Sequence, residues 1–433
     1  MKKLAPNNNG PLPPLNIIYK NLKGIIIPLG VKRIGEGAFF DCTNLSNVDI
    51  PDSVTHIGSD AFYGCTGLTD VFIGAGLTSM DLNLFRACPN LVSLMVSADN
   101  PVYRSEKNSI IERASGTLVV GSRIGVVPVG VRSVGECAFA DYVWLLSVTM
   151  PEGITHIGDS AFASCSNLFS VALPSSLCTI GDGAFYGCSL LEYINLEGVK
   201  TIGNHAFNTC NSLRSIVLND AEGIGHYAFY NCISLSKVVI RGAEHIGSCA
   251  FYGCGSLAEV LLYGVKSIGS NAFTRCHALT NVALCEGLES IGVAAFSLCY
   301  SLSSLTIPLS VTAIGSSVFD ECYSLTVYTD AKTKPIGWSD SYISRYGVRL
   351  PVVWGCTLSA DKSHVIMLEK SANSLDNLDG FAIGAPYREG FTFGGWAISP
   401  QNATDGIASY SAASLAAAPF DAPLYAIWVK NYI

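Results

Sequence analysis

Charge is what this chain has least of. Asp, Glu, Lys and Arg together make up 14% of its 433 residues, against about 25% in an ordinary soluble domain, so its surface must be built largely from Ser, Thr, Asn and Gly. No block of Lys or Arg interrupts that pattern, and the formal net charge is −8. Phosphate backbones and anionic headgroups are bound through such blocks, so nucleic acid and membrane surfaces fall outside the expected partners. No run of 18 apolar residues occurs, and no membrane insertion is expected. Catalytic motifs are missing as well: there is no G-x-S-x-G, H-E-x-x-H, phosphate-binding loop or dinucleotide fingerprint, and no C-x-x-C. The expectation is a protein that is not an enzyme, with no catalytic residues, no cofactor and no metal.

What the chain has in abundance is one phrase. From Val31 it reads V-K-R-I-G-E-G-A-F-F-D-C-T-N-L-S-N-V-D-I, and from Val54 V-T-H-I-G-S-D-A-F-Y-G-C-T-G-L-T-D-V-F-I. The Ala-Phe pair returns at Ala138, Ala161, Ala184, Ala206, Ala228, Ala250, Ala272 and Ala295, with Leu84-Phe85 and Val318-Phe319 in the same slot, which gives 12 rungs mostly 22 or 23 residues apart. A period in that range means a solenoid whose rungs share one core. Ile57, Ala61, Phe62, Cys65, Leu68, Val71 and Ile73 are the inward set of one rung. The L-x-x-V-x-I segment alternates with period two and predicts a short strand stacked in a parallel ladder. The Gly after Ile (Gly35, Gly58, Gly158, Gly181) is expected to permit a bend, and A-F-x-x-C to make a single helical or 3₁₀ turn. Between 97 and 130 the period breaks, and residues 108–121 read as a hairpin about Ser115-Gly116.

Eleven of the 16 cysteines occupy one repeat position, from Cys42 and Cys65 through Cys322. That regularity favours small buried filler over chemistry. A disulfide between rungs would need Cβ atoms near ~3.8 Å, closer than one strand spacing. Cys249 and Cys254 have no second pair at metal-ligand spacing. His56, His156 and His245 sit on distant rungs, while His205 and His226 sit on adjacent rungs at offset positions, as solvated or packed side chains or as a metal pair.

The phrase I-G-x-x-A-F-x-x-C-x-x-L-x-x-V-x-I-P resembles the BspA-like leucine-rich repeat over about residues 31–328, and the inserted hairpin near Tyr103 to Gly121 is similar to that family's habit. The resemblance implies an exported cell-surface adhesin or host-interaction protein that binds a protein or glycan ligand. Met1-Lys2-Lys3 looks like the start of an export signal, but Asn7-Asn8-Asn9-Gly10-Pro11 follows where an apolar stretch would stand; either the chain stays in the cytosol or it is a mature or trimmed form whose export signal has been replaced, and the resemblance favours the second. A second resemblance, to the internalin-type B (Listeria-Bacteroides) repeat, rests on Gly390-Phe391-Thr392-Phe393-Gly394-Gly395-Trp396 and Leu424-Tyr425-Ala426-Ile427-Trp428. It implies a small β-grasp-like module whose first strand is His364 to Lys370. The expected fold is thus a leucine-rich-repeat solenoid, a parallel strand ladder with short helical turns, followed by a β-grasp-like α+β module. Its divisions are a lead-in with a partial repeat (1–30), the solenoid (31–330, insertion 97–130), a cap and linker (331–354) and the module (355–433).

If the core residues of L-x-x-V-x-I face inward, the residues flanking Val face outward. Val217, Val239 and Leu261 follow one another in one outward column, with Tyr193, Lys237 and Glu259 in the column beside it. Two readings are open. An exposed apolar strip marks a partner site, and β-branched residues also simply suit strands. Tyr186, Tyr230 and Tyr252, in the slot after Ala-Phe, form a separate candidate patch. Two functions follow from this organisation: a binding protein that uses the solenoid surface, or an assembly protein whose solenoid packs laterally without a foreign ligand.

Overall fold

A computed structural model describes residues 2–3, 23–343 and 350–354, and the strands His364–Leu368, Phe391–Ala397 and Leu424–Lys430. The chain falls into two units, Met1–Ile216 and Val217–Ile433, and each is a β-solenoid. A rung begins with a two-residue strand ending on the Ile that precedes Gly, turns through Ala-Phe, and closes with a longer strand. In the first unit Arg33–Ile34, His56–Ile57 and Ser79–Met80 pair in parallel. On the other side of the same rungs, Asn47–Ile50, Asp70–Ile73 and Ser93–Val96 do likewise. The second unit repeats the scheme with Lys237–Arg241, Glu259–Tyr263 and Asn281–Leu284. Val48 and Ile50 are buried while Asn47 and Asp49 are exposed, as period-two alternation requires.

The turn is not helical, and no helix is present among the described residues. Asp60 and Gly64 take left-handed φ of 54° and 69°, and a helix cannot pass through two such corners four residues apart. The alternate N–H groups of Asp60, Phe62 and Gly64 point along the stack instead and donate to the carbonyls of Leu82, Leu84 and Arg86 at 3.3, 3.1 and 3.0 Å. The turn is therefore a third hydrogen-bonded column. Its central bond recurs in both units, from Phe162 to Ala184 at 2.7 Å and from Phe251 to Ala272 at 2.8 Å. Left-handed backbone at non-glycine positions such as Asp60 and Ser160 is offset by these bonds, each of which would leave a buried donor unsatisfied if lost.

Rung spacing sets everything inside. The Phe rings stack nearly parallel at centroid distances of 5.0 Å for Phe39–Phe62 and 5.2 Å for both Phe162–Phe185 and Phe251–Phe273. From Cys65 on, the repeat-position thiols reach back one rung to donate to a Phe carbonyl, as Cys65 does to Phe39 at 3.1 Å, Cys165 to Phe139 at 3.0 Å and Cys254 to Phe229 at 3.2 Å. That carbonyl already accepts the N–H of its own rung, as Phe39 does from Cys42 at 3.1 Å, so the thiol fills its second lone pair. Cysteine suits this slot because it is small, apolar and still a weak donor. Gly58 has a different role from the one its position suggests. It lacks the left-handed φ of the turn glycines, but a Cβ there would stand 2.7 Å from the Glu36 nitrogen of the rung below, so close approach rather than bending demands glycine.

The insertion holds three strands instead of two. Tyr103–Glu106 pairs antiparallel with Ser109–Glu112, which pairs antiparallel with Thr117–Val120 through a shift in register. Thr117–Val120 then pairs in parallel with Ser133–Val134 and so rejoins the short-strand ladder. Gly121 donates to Ala138 at 2.8 Å, and Val126 bridges Thr149 in parallel. Residues 117–130 are thus a truncated rung whose Ala-Phe turn has been cut to the corner at Gly121.

In the second unit, the N–H groups of Ser317 and Phe319 in the last turn donate to Ser341 and Tyr342 at 2.7 and 3.3 Å, and the buried Trp338 indole donates to Val311 at 3.1 Å. Val352–Trp354 pairs in parallel with Thr326–Thr329 and antiparallel with His364–Leu368. His364–Leu368 pairs antiparallel with Leu424–Lys430, which pairs antiparallel with Phe391–Ala397. These strands extend the sheet of the last rungs by backbone pairing. The chain between them, where a β-grasp-like α+β module would place its remaining elements, lies outside the described residues.

Two outcomes follow from this packing. Burial pushes the thiols of Cys88, Cys165 and Cys254 up to about 12, so alkylation of the native chain at pH 8 followed by peptide mass spectrometry will leave all three unmodified while the half-buried Cys178 reacts. Equal labelling of Cys254 and Cys178 would contradict the packing. Gly58→Ala will lower stability by about 1–3 kcal/mol through overpacking, read by urea unfolding. The same change at Gly255, where a Cβ meets nothing within 4 Å, will cost less.

Candidate binding face

The candidate residues divide between the units. In the first, Tyr193 bridges Ser170 in parallel register and is 59% exposed. The Arg214 guanidinium lies 5.9 Å from its ring centroid and 3.4 Å from the Glu192 carboxylate. In the second, parallel pairing sets Lys237 opposite Glu259, Val239 opposite Leu261 and Arg241 opposite Tyr263. Lys237 Nζ is 2.6 Å from Glu259 Oε2. Arg241 lies 5.2 Å from the Tyr263 ring centroid and donates to Asn219 Oδ1 at 3.1 Å. An apolar strip is thus bracketed by an ion pair on one side and a cation–π pair on the other, and its charges are matched across adjacent rungs.

One candidate does not reach solvent as expected. Val217 is 44% exposed and Leu261 half-buried, but Val239 is only 5% exposed. Lys237 and Arg241 leave the same side of its strand, and Leu261 stands in register beside it, so the centre of the strip is covered. Tyr230 and Tyr252 stack at 5.1 Å with 7° between their planes, and Arg275 lies 5.7 Å over Tyr252. Neighbouring rungs take up their ring faces, and their edges are what solvent meets. Tyr186, in the first unit, is 44% exposed. Of the offset histidines, His205 Nδ1 lies 2.9 Å from the Asn208 amide and His226 Nδ1 accepts the Ser248 N–H at 2.9 Å.

The apolar positions that sequence reasoning passed over are larger. Phe72 and Met95, directly in register, are 40% and 51% exposed. Ile26 is on the same sheet and 45% exposed. Their signal was the same outward column that drew attention to Val217, but with bulkier residues. No helix among the described residues is long and apolar enough to cross a membrane.

The repeat and its shared core point to a known family. A model described as the BspA type leucine rich repeat region matches residues 18–109, 126–236 and 200–326. The chain belongs to the BspA-type leucine-rich repeat family. Among solved structures, it is similar to a leucine-rich repeat protein from Bacteroides ovatus, with 28% identity, 71% of this chain and 78% of that one covered, and a TM-score of 0.48. It is also similar to a leucine rich cell surface protein from Faecalibacterium prausnitzii, with 24% identity, coverage of 78% and 89%, and a TM-score of 0.41. No curated relative matches the chain. In this BspA-type chain the Ala-Phe and Cys positions of the repeat are core, and the outward columns of the strands are what solvent meets.

The Lys237–Glu259 pair is open to water, so a double-mutant cycle of Lys237→Ala and Glu259→Ala in urea unfolding will give a coupling of about 0.2–1 kcal/mol that vanishes in high salt. A larger, salt-resistant coupling would mean that the pair is more enclosed than described.

Proposed function

We propose that this chain is a non-enzymatic binding protein, exported to a cell surface, where it engages a protein or glycan ligand through the outward columns of its strand ladder. The observation that carries the reading is the register of the second unit: Val217, Lys237 and the Glu259/Leu261 strand come from three rungs, and parallel pairing fixes Lys237 against Glu259 and sets Leu261 against Val239, two residue pairs along on the same face. A rigid ladder presents such a surface without ordering cost at the moment of binding. Membership of the BspA-type family supports a surface location and an adhesive role. Tyr193 joins this reading as an exposed aromatic in the first unit, and Val239 supports its neighbours from beneath. The C-terminal strands, which resemble the internalin-type B repeat, serve in this reading as a β-grasp-like spacer, with residues 331–354 as cap and linker.

A glycan and extracellular-matrix array at physiological salt tests the proposal. The wild-type chain will bind at least one class of ligand, and Val217→Asp and Lys237→Glu will each reduce that binding about tenfold, the equivalent of 1.4 kcal/mol. Both side chains are exposed, so neither change should disturb folding, whereas Val239→Asp would bury a charge. Binding that survives both changes would remove this face, and no binding to any ligand would favour lateral assembly of the solenoid.

A further inference from the structure

The truncated rung of the first unit leaves a gap where its turn should be. Elsewhere the alternate turn N–H groups find the next rung: Cys137, Phe139 and Asp141 donate to Asp159, Ala161 and Ala163 at 3.0, 2.7 and 2.8 Å. In the rung just before the truncation, the N–H groups of Asn83, Phe85 and Ala87 meet no acceptor among the described residues. The next Ala-Phe turn is that of Ala138, and its carbonyl accepts the Gly121 N–H at 2.8 Å instead. Gly121 is the residue that can do so, since a Cβ there would come within 2.1 Å of the Phe139 ring.

A cavity of about 140 Å³ lies at this gap, walled by Phe85, Tyr103, Val120, Ala138 and Tyr142. Asn83 also lines it, and its buried Oδ1 has no hydrogen-bond partner. An apolar cavity of about 150 Å³ holds a benzene ring, so the space suits a ligand of that size. Its polar needs are specific. The Phe85 and Asn83 N–H groups call for a carbonyl oxygen, and Asn83 Oδ1 calls for a donor. An anion is disfavoured, because Arg86 is already paired with Asp141 while Asp81 and Glu136 stand in the wall. A single carboxamide supplies both the acceptor and the donor without charge. We propose that this cavity is a binding site for a small uncharged amide with a ring-sized apolar body.

Benzamide, sodium benzoate and toluene, titrated calorimetrically into the full chain, test the proposal, with amide hydrogen exchange of residues 83–87 as a second readout. Benzamide will bind saturably, about tenfold more tightly than either control, as one or two added hydrogen bonds allow, and will slow exchange across 83–87. Val119→Phe, which fills the cavity from its half-buried wall, will abolish the heat. If that variant does not fold, Ala138→Val serves the same purpose. The proposal is overturned if wild-type chain shows no saturable benzamide binding, if toluene binds as tightly, or if exchange at 83–87 is unchanged.

Discussion

The hydrogen bond from one turn to the next governs this structure. A rung has two strands, which pair with their neighbours as any parallel strands do, and a turn that would ordinarily satisfy itself. Here the turn gives up its internal helix. Left-handed corners at positions such as Asp60 and Gly64 aim every second N–H along the stack, so three backbone columns lock each rung to the next. A buried donor without a partner costs about 1–3 kcal/mol, which makes the spacing between rungs nearly inflexible at this point. The Phe rings then have no choice but to stack about 5 Å apart, and a Cβ has no room at Gly58.

The same constraint explains why the thiol column is inert. A sulfur such as Cys165 or Cys254 is fixed by its bond to a carbonyl one rung back, and burial holds it protonated, so it fills space and completes an acceptor rather than reacting. It also explains why the edges of the ladder matter. A stack built from directional bonds ends in unsatisfied groups wherever it stops. The last turn of the second unit has its donors met by Ser341 and Tyr342. The turn of Phe85 in the first unit does not, and the space beside it is the consequence of deleting one turn while keeping the strands on both sides of it.

Much of this was legible in the sequence. The period, the inward set of each rung and the strand positions followed from apolar residues at fixed offsets, because a shared core admits only one register. The turn was not legible, since A-F-x-x-C is compatible with a helical turn by length and propensity, and only the left-handed φ of residues such as Ser160 and His205 redirects it. The role of Gly58 was hidden for a related reason: contact with the rung below is invisible in a single repeat. Val239 looked exposed because alternation gives a side but not its covering, which long neighbours such as Lys237 and Arg241 supply. The truncated rung was visible only as a broken period, and the extra strand of the insertion, Tyr103–Glu106, had no apolar alternation to announce it.

The central claim rests on where the turn amides send their hydrogen bonds. Scalar couplings across hydrogen bonds, measured by NMR on deuterated protein, report donor and acceptor directly. The account predicts a coupling from the Phe162 nitrogen to the Ala184 carbonyl carbon, one rung along. A coupling from Phe162 to the carbonyl of Gly158, as an α-helical turn would give, would contradict it.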